Sequence, residues 1–139
     1  MPVTTDPVMS DAHASAVLDA AEAKARELDA TMVVAVVDAA GLLKAFMRMD
    51  GAPQGSIDWT IDKAFTAVSF GVPTRMLVDG VESSPAVMAS MVKLPHITLT
   101  PGGLPLTLGE TVIGAIGAGG GTPEQDRLVA EAGVAALQP

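Results

Sequence analysis

Apolar positions near the start of the chain recur every three or four residues, which is the spacing of one face of an α-helix. Ser10 stands before this stretch as a good N-cap residue, and Asp11 puts an acid in the first turn, where it suits the helix dipole. We therefore predict a first helix. Its apolar stripe consists of Ala14, Val17, Leu18, Ala21, Ala25 and Leu28.

The pattern then changes to two mainly apolar runs, of which the first is rich in β-branched residues. Residues 31–37 form one run and residues 42–47 form the next, and each is long enough for a strand. The connecting sequence Asp38-Ala-Ala-Gly41 carries residue types that are typical of a turn. These two segments are predicted to form a β-hairpin.

A second amphipathic segment follows the loop at residues 51–55, and it has two usable faces. The core face consists of Ile57, Ile61, Ala64, Phe65 and Val68. The other face combines aromatic and polar side chains at helical spacing, namely Trp59, Lys63, Thr66 and Phe70. This second face is a candidate ligand surface.

The rest of the pattern predicts short helices over residues 74–91, three short strands and a last helix. The strands are expected at residues 96–99, 104–108 and 112–118, with glycines in the turns between them. The sequence Thr122-Pro-Glu-Gln125 has the capping-box pattern of a helix start. Helices grouped around an antiparallel sheet give an α+β fold.

The length suits one domain spanning residues 1–139, with a flexible N-terminal segment at residues 1–9. No apolar run reaches the roughly 18 residues that a membrane-spanning helix needs. The N-terminus has neither the basic start nor the apolar centre of a signal peptide, so we expect a cytoplasmic protein.

A net charge of −8 argues against nucleic acid and against an anionic membrane surface as partners, because both are bound through clustered Lys and Arg. The eight basic residues of this chain are scattered. Cysteine is absent, which removes disulfides, thiolate nucleophiles and cysteine metal sites. No spacing of His, Asp and Glu fits a zinc site either. A small neutral or cationic ligand or another protein remains as the partner.

Lys63 is the candidate with the sharpest chemistry. It lies mid-helix on the face shared with Trp59, where burial beside aromatic rings would make its amine a base or an imine-forming nucleophile. The alternative is an ion pair with Asp38, Asp50 or Glu110, which would keep the amine charged and inert.

Arg48 and Asp50 stand where the second strand runs into a tight loop. In a structural role, Asp50 caps the loop backbone and Arg48 pairs with it or with a neighbouring subunit. In a functional role, Arg48 holds a carboxylate of the ligand.

Two glycine-rich stretches invite opposite interpretations. In Pro101-Gly102-Gly103, the glycines either form a plain turn or let backbone N–H groups approach a ligand as an oxyanion hole does. The stretch from Gly114 to Gly121 lacks the G-x-G-x-x-G register of a nucleotide-binding loop, and no parallel βαβ unit surrounds it. We interpret this second stretch as a bend before the last helix.

The chain has two histidines, and an exposed ring is the simple interpretation of each. His13 lies at the edge of the first apolar stripe, and His96 starts a predicted strand. Met88 and Met91 share a helical face. Methionine usually fills gaps in a core but also lines pockets for flat apolar ligands, for which Met91 is a candidate.

Four spaced blocks, from about residue 20 to residue 137, resemble the GlcG/HbpS family. The blocks are Arg48-Met-Asp-Gly-Ala-Pro, Lys63-Ala-Phe-Thr-Ala, Pro101-Gly-Gly-Leu-Pro-Leu and Val112-Ile-Gly-Ala-Ile-Gly. This family includes secreted haem-binding proteins and the C-terminal domain of PduO-type adenosyltransferases. The resemblance implies a profilin-like α+β fold with a five-stranded antiparallel sheet, usually assembled into homo-oligomers.

The resemblance also implies haem as a cofactor. Some family members use a histidine of the first helix as an axial iron ligand, which by approximate position makes His13 the candidate here. Arg48 or Lys63 would then meet the haem carboxylates. Family members often carry serine where Gly119 stands, so no side-chain contact is expected from that turn.

Three functions are open at this point, and the simplest is a scaffold or sensor module that acts through protein contacts alone. The other two involve a small molecule. The first is an oligomeric domain that binds haem or another flat apolar molecule with a carboxylate. Its expected ligand-binding residues are Arg48, Asp50, Trp59, Thr66, Phe70, Met91, Gly102 and Gly103. The second is a small catabolic enzyme, a lyase, isomerase or decarboxylase acting on a small carbonyl or aromatic acid. Lys63 and Glu110 would be its catalytic residues, with the turn at residues 101–103 beside them.

Overall fold

The computed structural model describes residues 6–139, over which five helices and four strands follow one another. Their order and bounds are α1 (Asp11–Glu27), β1 (Val33–Asp38), β2 (Leu43–Arg48), α2 (Ser56–Phe70), α3 (Thr74–Val81), α4 (Pro85–Met91), β3 (Gly103–Leu108), β4 (Thr111–Gly119) and α5 (Pro123–Ala135). The strands form one antiparallel sheet in the order β2-β1-β4-β3. The molecule is therefore α+β, with helices on both faces of the sheet.

The expected five-stranded sheet is wrong, because residues 96–99 do not form a strand. His96 has a φ of +66°, in the left-handed region that an extended strand does not use. The backbone N–H of Thr98 donates to Thr66 Oγ1 of α2 at 2.9 Å instead of to a neighbouring strand. This segment crosses over α2 and leaves the sheet with four strands.

The start of α1 follows its predicted pattern. Ser10 Oγ accepts the backbone N–H of His13 at 3.0 Å, and the His13 ring accepts the backbone N–H of Ser10 at 3.3 Å, which closes a capping box. The helix buries the stripe Ala14, Val17, Ala21 and Ala25, as the periodicity predicted.

Residues 1–5 of the segment expected to be flexible lie outside the described residues. At the end of that segment, Met9 is only 6% exposed and belongs to the main core cluster. Within residues 6–139, no helix combines the length and the apolarity needed to cross a lipid bilayer.

The two faces of the sheet carry different helices. α1 and α5 cover one face, where Val34, Val36 and Ile116 form the centre of the main core. α2 covers the other face against β1, β4 and β3, with Ala64 and Ala67 packed on alternate residues of the same strands. The second of these faces, covered by α2, is where the candidate site begins.

Glycines let α2 lie unusually close to the sheet. A Cβ at Gly117 would collide with the carbonyl oxygen of Thr60, and a Cβ at Gly103 would collide with that of Lys63. Both collisions involve backbone atoms, so neither position accepts a side chain without moving the helix. These glycines of β3 and β4 therefore determine how close the turn of α2 that carries Thr60 and Lys63 lies to the sheet.

Candidate ligand pocket around Lys63

The partly polar face of α2 lies against the segment that leads into β3. The Trp59 indole N–H donates to Thr98 Oγ1 at 3.1 Å and to Thr100 Oγ1 at 2.9 Å. Thr66, which is fully buried, contacts the same segment through the bond from Thr98. The predicted grouping of Trp59, Lys63 and Thr66 on one face is therefore present in the structure.

Lys63 is buried, with 5% of its surface exposed. Its Nζ donates to the carbonyl oxygen of Ala118 at 3.0 Å and to Asp126 Oδ2 at 3.1 Å. It also lies 5.6 Å from the centre of the Trp59 ring, within the range of a cation–π contact. The ammonium is thus stabilised by the Asp126 carboxylate, by the Ala118 carbonyl dipole and by the Trp59 ring.

The acid beside Lys63 is Asp126, and not one of the three acids that the sequence suggested. Asp126 is 6% exposed, and its Oδ1 accepts the backbone N–H of Gly121 at 3.1 Å. Burial raises the pKa of the Asp126 carboxyl above its ordinary value, and the nearby Lys63 charge offsets part of that rise. Such a carboxyl is readier than an exposed one to take up a proton.

Thr60 is a second residue that sequence reasoning missed. It is fully buried, and its Oγ1 has no hydrogen-bond partner among residues 6–139. A Cβ at Gly119 would collide with this hydroxyl, so the backbone of β4 approaches Thr60 as closely as it does only because residue 119 is glycine. The position of Thr60 in the buried stripe with Ala64 and Ala67 was the available signal, because a polar residue in such a stripe needs a partner.

These groups surround a pocket of about 410 Å³. The lining residues are Pro53, Ser56, Trp59, Thr60, Lys63, Thr100, Pro101, Gly119, Gly120, Gly121, Pro123 and Asp126. Trp59 is about half exposed and forms one wall, while the buried polar groups are the Lys63 ammonium, the Asp126 carboxyl and the Thr60 hydroxyl. The pocket can therefore hold a ligand with a flat apolar part and an anionic or hydrogen-bonding end.

At the turn Pro101-Gly102-Gly103, only Pro101 lines this pocket, and the two predicted ligand-binding glycines lie behind it. The N–H of Gly103 donates to Thr74 Oγ1 at 3.0 Å, so it is already satisfied. Gly102 has a φ of +118°, and a Cβ there would lie 2.6 Å from the Ala118 carbonyl oxygen and 3.0 Å from Lys63 Nζ. Gly102 is thus required for Lys63 to reach its partners.

Arg48 lies near the pocket but does not line it. Arg48 and Gly119 both pair with Val33, from opposite sides of β1, which puts their backbones about 10 Å apart. The guanidinium is exposed and donates to the carbonyl oxygen of Ala52 at 3.3 Å. Asp50 is also exposed, and the structure does not pair it with Arg48.

Three other candidates lie outside the pocket. Glu110 is exposed in the turn before β4, eight residues and therefore about 26 Å along the strand from Ala118. Phe70 is 44% exposed at the end of α2, and Met91 is buried in α4. The structure consequently does not bring the proposed catalytic pair, Lys63 and Glu110, together.

The two histidines also lie away from the pocket lining. His13 is on α1, on the opposite face of the sheet from α2. His96 Nδ1 lies 3.3 Å from Asp62 Oδ1, and the ring packs edge-on against Phe65 at 5.7 Å between centroids. Within residues 6–139, no group of three or more His, Cys, Asp or Glu residues could hold a metal ion.

A second groove of about 780 Å³ lies between α3, β3 and α5 and shares Pro101 and Pro123 with the first. Its charged lining consists of Arg75, Asp79, Glu124, Arg127 and Glu131. Arg127 is already paired with both glutamates. With three carboxylates against two guanidinium groups, this groove is a poorer place than the Lys63 pocket for an anionic ligand.

The architecture and the pocket define a small α+β domain with one buried cation opening on a ligand-sized cavity. The sequence model of the family described as haem degrading protein HbpS-like matches residues 9–135. This chain belongs to the HbpS-like family, which confirms the resemblance found in its sequence blocks.

Two curated relatives are similar to most of this chain. The "15.0 kDa protein in dhaT-dhaS intergenic region" of Citrobacter freundii is 39% identical over 121 residues, covering 86% of this chain and 85% of the relative. The corrinoid adenosyltransferase PduO of Salmonella typhimurium is 34% identical over 119 residues, covering 85% of this chain. This chain spans only 35% of PduO, so it corresponds to part of that enzyme.

Solved structures show the same architecture. ORFY of Klebsiella pneumoniae superposes with a TM-score of 0.89 at 32% identity, covering 99% of this chain and 96% of the other. A Streptomyces reticuli HbpS double mutant gives 0.88 at 30% identity, with coverage of 99% and 92%. The complex of PduOC with heme gives 0.88 at 30% identity, with coverage of 95% and 96%.

Proposed function

We propose that this chain is a small-molecule-binding domain, and that its ligand is haem or another flat, largely apolar molecule with a carboxylate. The proposal is supported by the family, by a structural relative described in complex with heme, and by the pocket itself. The observation that carries it is the buried Lys63 ammonium, which opens on a cavity walled by Trp59.

The pocket fits the carboxylates of haem better than its iron. Lys63 offers a cation and Thr60 a hydroxyl without a partner, and both suit a carboxylate. Among the residues described, the lining includes neither histidine nor methionine, the side chains that most often ligate haem iron in a chain without Cys and Tyr. We therefore assign the pocket to recognition of the carboxylate-bearing edge.

His13 is poorly prepared to ligate iron. Its Nδ1 accepts the backbone N–H of Ser10, so the ring proton is on Nε2. Ligation through Nε2 requires the opposite tautomer, with the proton on Nδ1. His13 would have to give up the capping box of α1 to act as an axial ligand.

The enzyme hypothesis gains no support from the geometry. A free amine is needed for base or imine chemistry, whereas Lys63 is held in an ion pair with Asp126. The second proposed catalytic residue, Glu110, lies at the other end of β4.

We also propose that the domain forms homo-oligomers. Six large apolar side chains between residues 59 and 94 are exposed in the single chain: Trp59, Phe70, Met76, Val87, Val92 and Leu94. Contact with further copies would remove part of this surface from water. Light scattering on the purified protein would give the subunit number directly, and a monomer at micromolar concentration would reject this part of the proposal.

The binding proposal is tested by titrating the purified protein with hemin and following the Soret band. We expect saturable, stoichiometric binding that weakens at least about tenfold in Lys63→Met, because a charge-assisted bond is lost. Lys93→Met, which removes an exposed lysine, is the matched control and should bind as the parent does. Trp59→Leu provides a second pocket variant where Lys63→Met does not fold.

Two results would overturn the binding proposal. Absence of saturable hemin binding in the parent protein would reject haem as the ligand. Binding that is lost in His13→Ala and kept in Lys63→Met would place the ligand on α1 and reject the Lys63 pocket.

A further inference from the structure

Two hydrogen-bond donors in the pocket have no acceptor among residues 6–139. An ammonium has three N–H groups, and Lys63 donates two of them, to Ala118 and Asp126. The Thr60 hydroxyl has no partner among residues 6–139 although it is fully buried. A buried polar group without a partner costs stability, and a ligand oxygen between the two donors would satisfy both.

Gly119 lines the pocket together with both donors. A Cβ built there would press on Thr60 Oγ1 and would lie 3.5 Å from Lys63 Nζ. A side chain at this position would displace the Thr60 hydroxyl and crowd the Lys63 ammonium, whereas glycine leaves both donors beside the pocket. A carboxylate oxygen accepts hydrogen bonds from both an ammonium and a hydroxyl, whereas a ligand cation would be repelled.

Resting on the function proposed above, we propose that a carboxylate of the ligand binds between Lys63 Nζ and Thr60 Oγ1, and that Asp126 takes up one proton from solvent as the ligand binds. The ligand stays a carboxylate, the proton ends on a carboxyl oxygen of Asp126, and no covalent bond of the ligand changes. Thr60, Lys63 and Asp126 act as one recognition unit.

The charges of the pocket favour uptake of this proton. Lys63 and Asp126 together are neutral, so a second carboxylate would leave one uncompensated negative charge in a buried place. Lys63, on α2, is the charged side chain that faces Asp126, and the other residues of the lining carry no charge. Asp126 is the group able to respond, since burial already favours its protonated form.

The test compares protoporphyrin IX with its dimethyl ester, which has the same flat ring and no carboxylate. Binding is followed through the fluorescence of Trp59, the chain's single tryptophan. We expect the acid to bind at least about tenfold more tightly than the ester. Thr60→Val should remove most of that difference, while Thr111→Val, at the far end of β4, should preserve it.

Proton uptake is measured in the same system. Affinity for the acid should fall by up to about tenfold per pH unit as pH rises, which is the limit for one linked proton. Calorimetry in buffers of different ionisation enthalpy should count that proton. Asp126→Asn carries a neutral side chain of the same shape, so its affinity should not vary with pH, whereas exposed Asp19→Asn should behave as the parent does.

The outcomes separate this inference from the proposed function. Acid and ester binding with equal affinity, or acid binding without proton uptake, would overturn the inference and leave the binding domain intact. No binding of hemin or of either porphyrin by a folded parent protein would reject both. If Asp126→Asn does not fold, two measurements still test the inference. They are the difference in affinity between acid and ester in Thr60→Val, and the number of protons that the parent takes up on binding the acid.

Discussion

Lys63 and Asp126, 63 positions apart in the chain, form a buried ion pair with Nζ 3.1 Å from Oδ2. The lysine comes from the middle of α2 and the aspartate from the first turns of α5. These helices lie on opposite faces of the sheet, and the pair joins them around the end of β4, where Ala118 also accepts from Lys63. Stability and the proposed ligand recognition therefore involve the same two side chains.

Removing one partner of this pair should cost more stability than removing both. Lys63→Met leaves a buried carboxylate without its cation, and we expect the free energy of unfolding to fall by about 3 kcal/mol. The double variant Lys63→Met, Asp126→Leu replaces the pair by apolar groups, so it should recover most of that loss. Urea unfolding of the single and double variants measures both values. A single variant as stable as Lys93→Met would contradict the expectation.

The stability of the parent should fall as pH rises through the native pKa of Asp126. Burial raises that pKa above its value in the unfolded chain, so between the two values the native state holds more protons than the unfolded state. The free energy of unfolding therefore decreases with increasing pH across this interval. Asp126→Asn lacks the titrating group, and its unfolding should lose this component. Thermal unfolding of both proteins across mildly acidic pH gives the comparison, and parallel curves would refute it.

The helices and the first hairpin could be predicted because local patterns determine them. The stripe from Ala14 to Ala25 and the capping box at Thr122 depend on neighbours within one or two turns. The extra strand at residues 96–99 was predicted wrongly for the opposite reason. Its backbone bonds to Thr66, 32 positions away from Thr98, and no local signal identifies that partner.

The candidate site was half visible in the sequence. Helical spacing placed Trp59 and Lys63 together, because it depends only on α2, whereas Thr66 on the same face does not line the pocket. The partner of Lys63 could not be found in that way, since Asp126 reaches it through the packing of α5 against the end of β4. Asp126 lies in the first turn of α5, where an acid is already explained by its favourable interaction with the helix dipole. The sequence therefore contains no separate sign that Asp126 pairs with Lys63.

Thr60→Val should stabilise the protein. Valine has the same shape as threonine, and the hydroxyl that it removes is buried without a partner, so we expect a gain of about 1 kcal/mol in the free energy of unfolding. The same change should weaken carboxylate binding, which makes it a position where stability and function oppose each other. Chemical unfolding checks the sign. A loss of stability would mean that the hydroxyl has a partner within the protein.

Gly102→Ala should be far more disruptive than Gly109→Ala. Both glycines have positive φ, at +118° and +60°, but only the Gly102 Cβ would meet other atoms, 2.6 Å from the Ala118 oxygen. We expect a loss of at least about 2 kcal/mol at Gly102, against about 1 kcal/mol at Gly109, where the left-handed backbone alone is strained. Differential scanning calorimetry of the two variants measures the contrast. Equal losses would show that the Lys63 packing contributes nothing at Gly102.

His13→Ala distinguishes a capping role from an iron-binding role. The substitution removes the side-chain half of the α1 capping box, so the free energy of unfolding should fall by about 0.5–1 kcal/mol. Because His13 lies across the sheet from the Lys63 pocket, hemin should bind the variant with the affinity and Soret position of the parent. His13→Gln is the matched variant, since a glutamine at this position can accept from Ser10 and should restore the stability. A Soret shift that both variants lose would instead assign His13 to the iron.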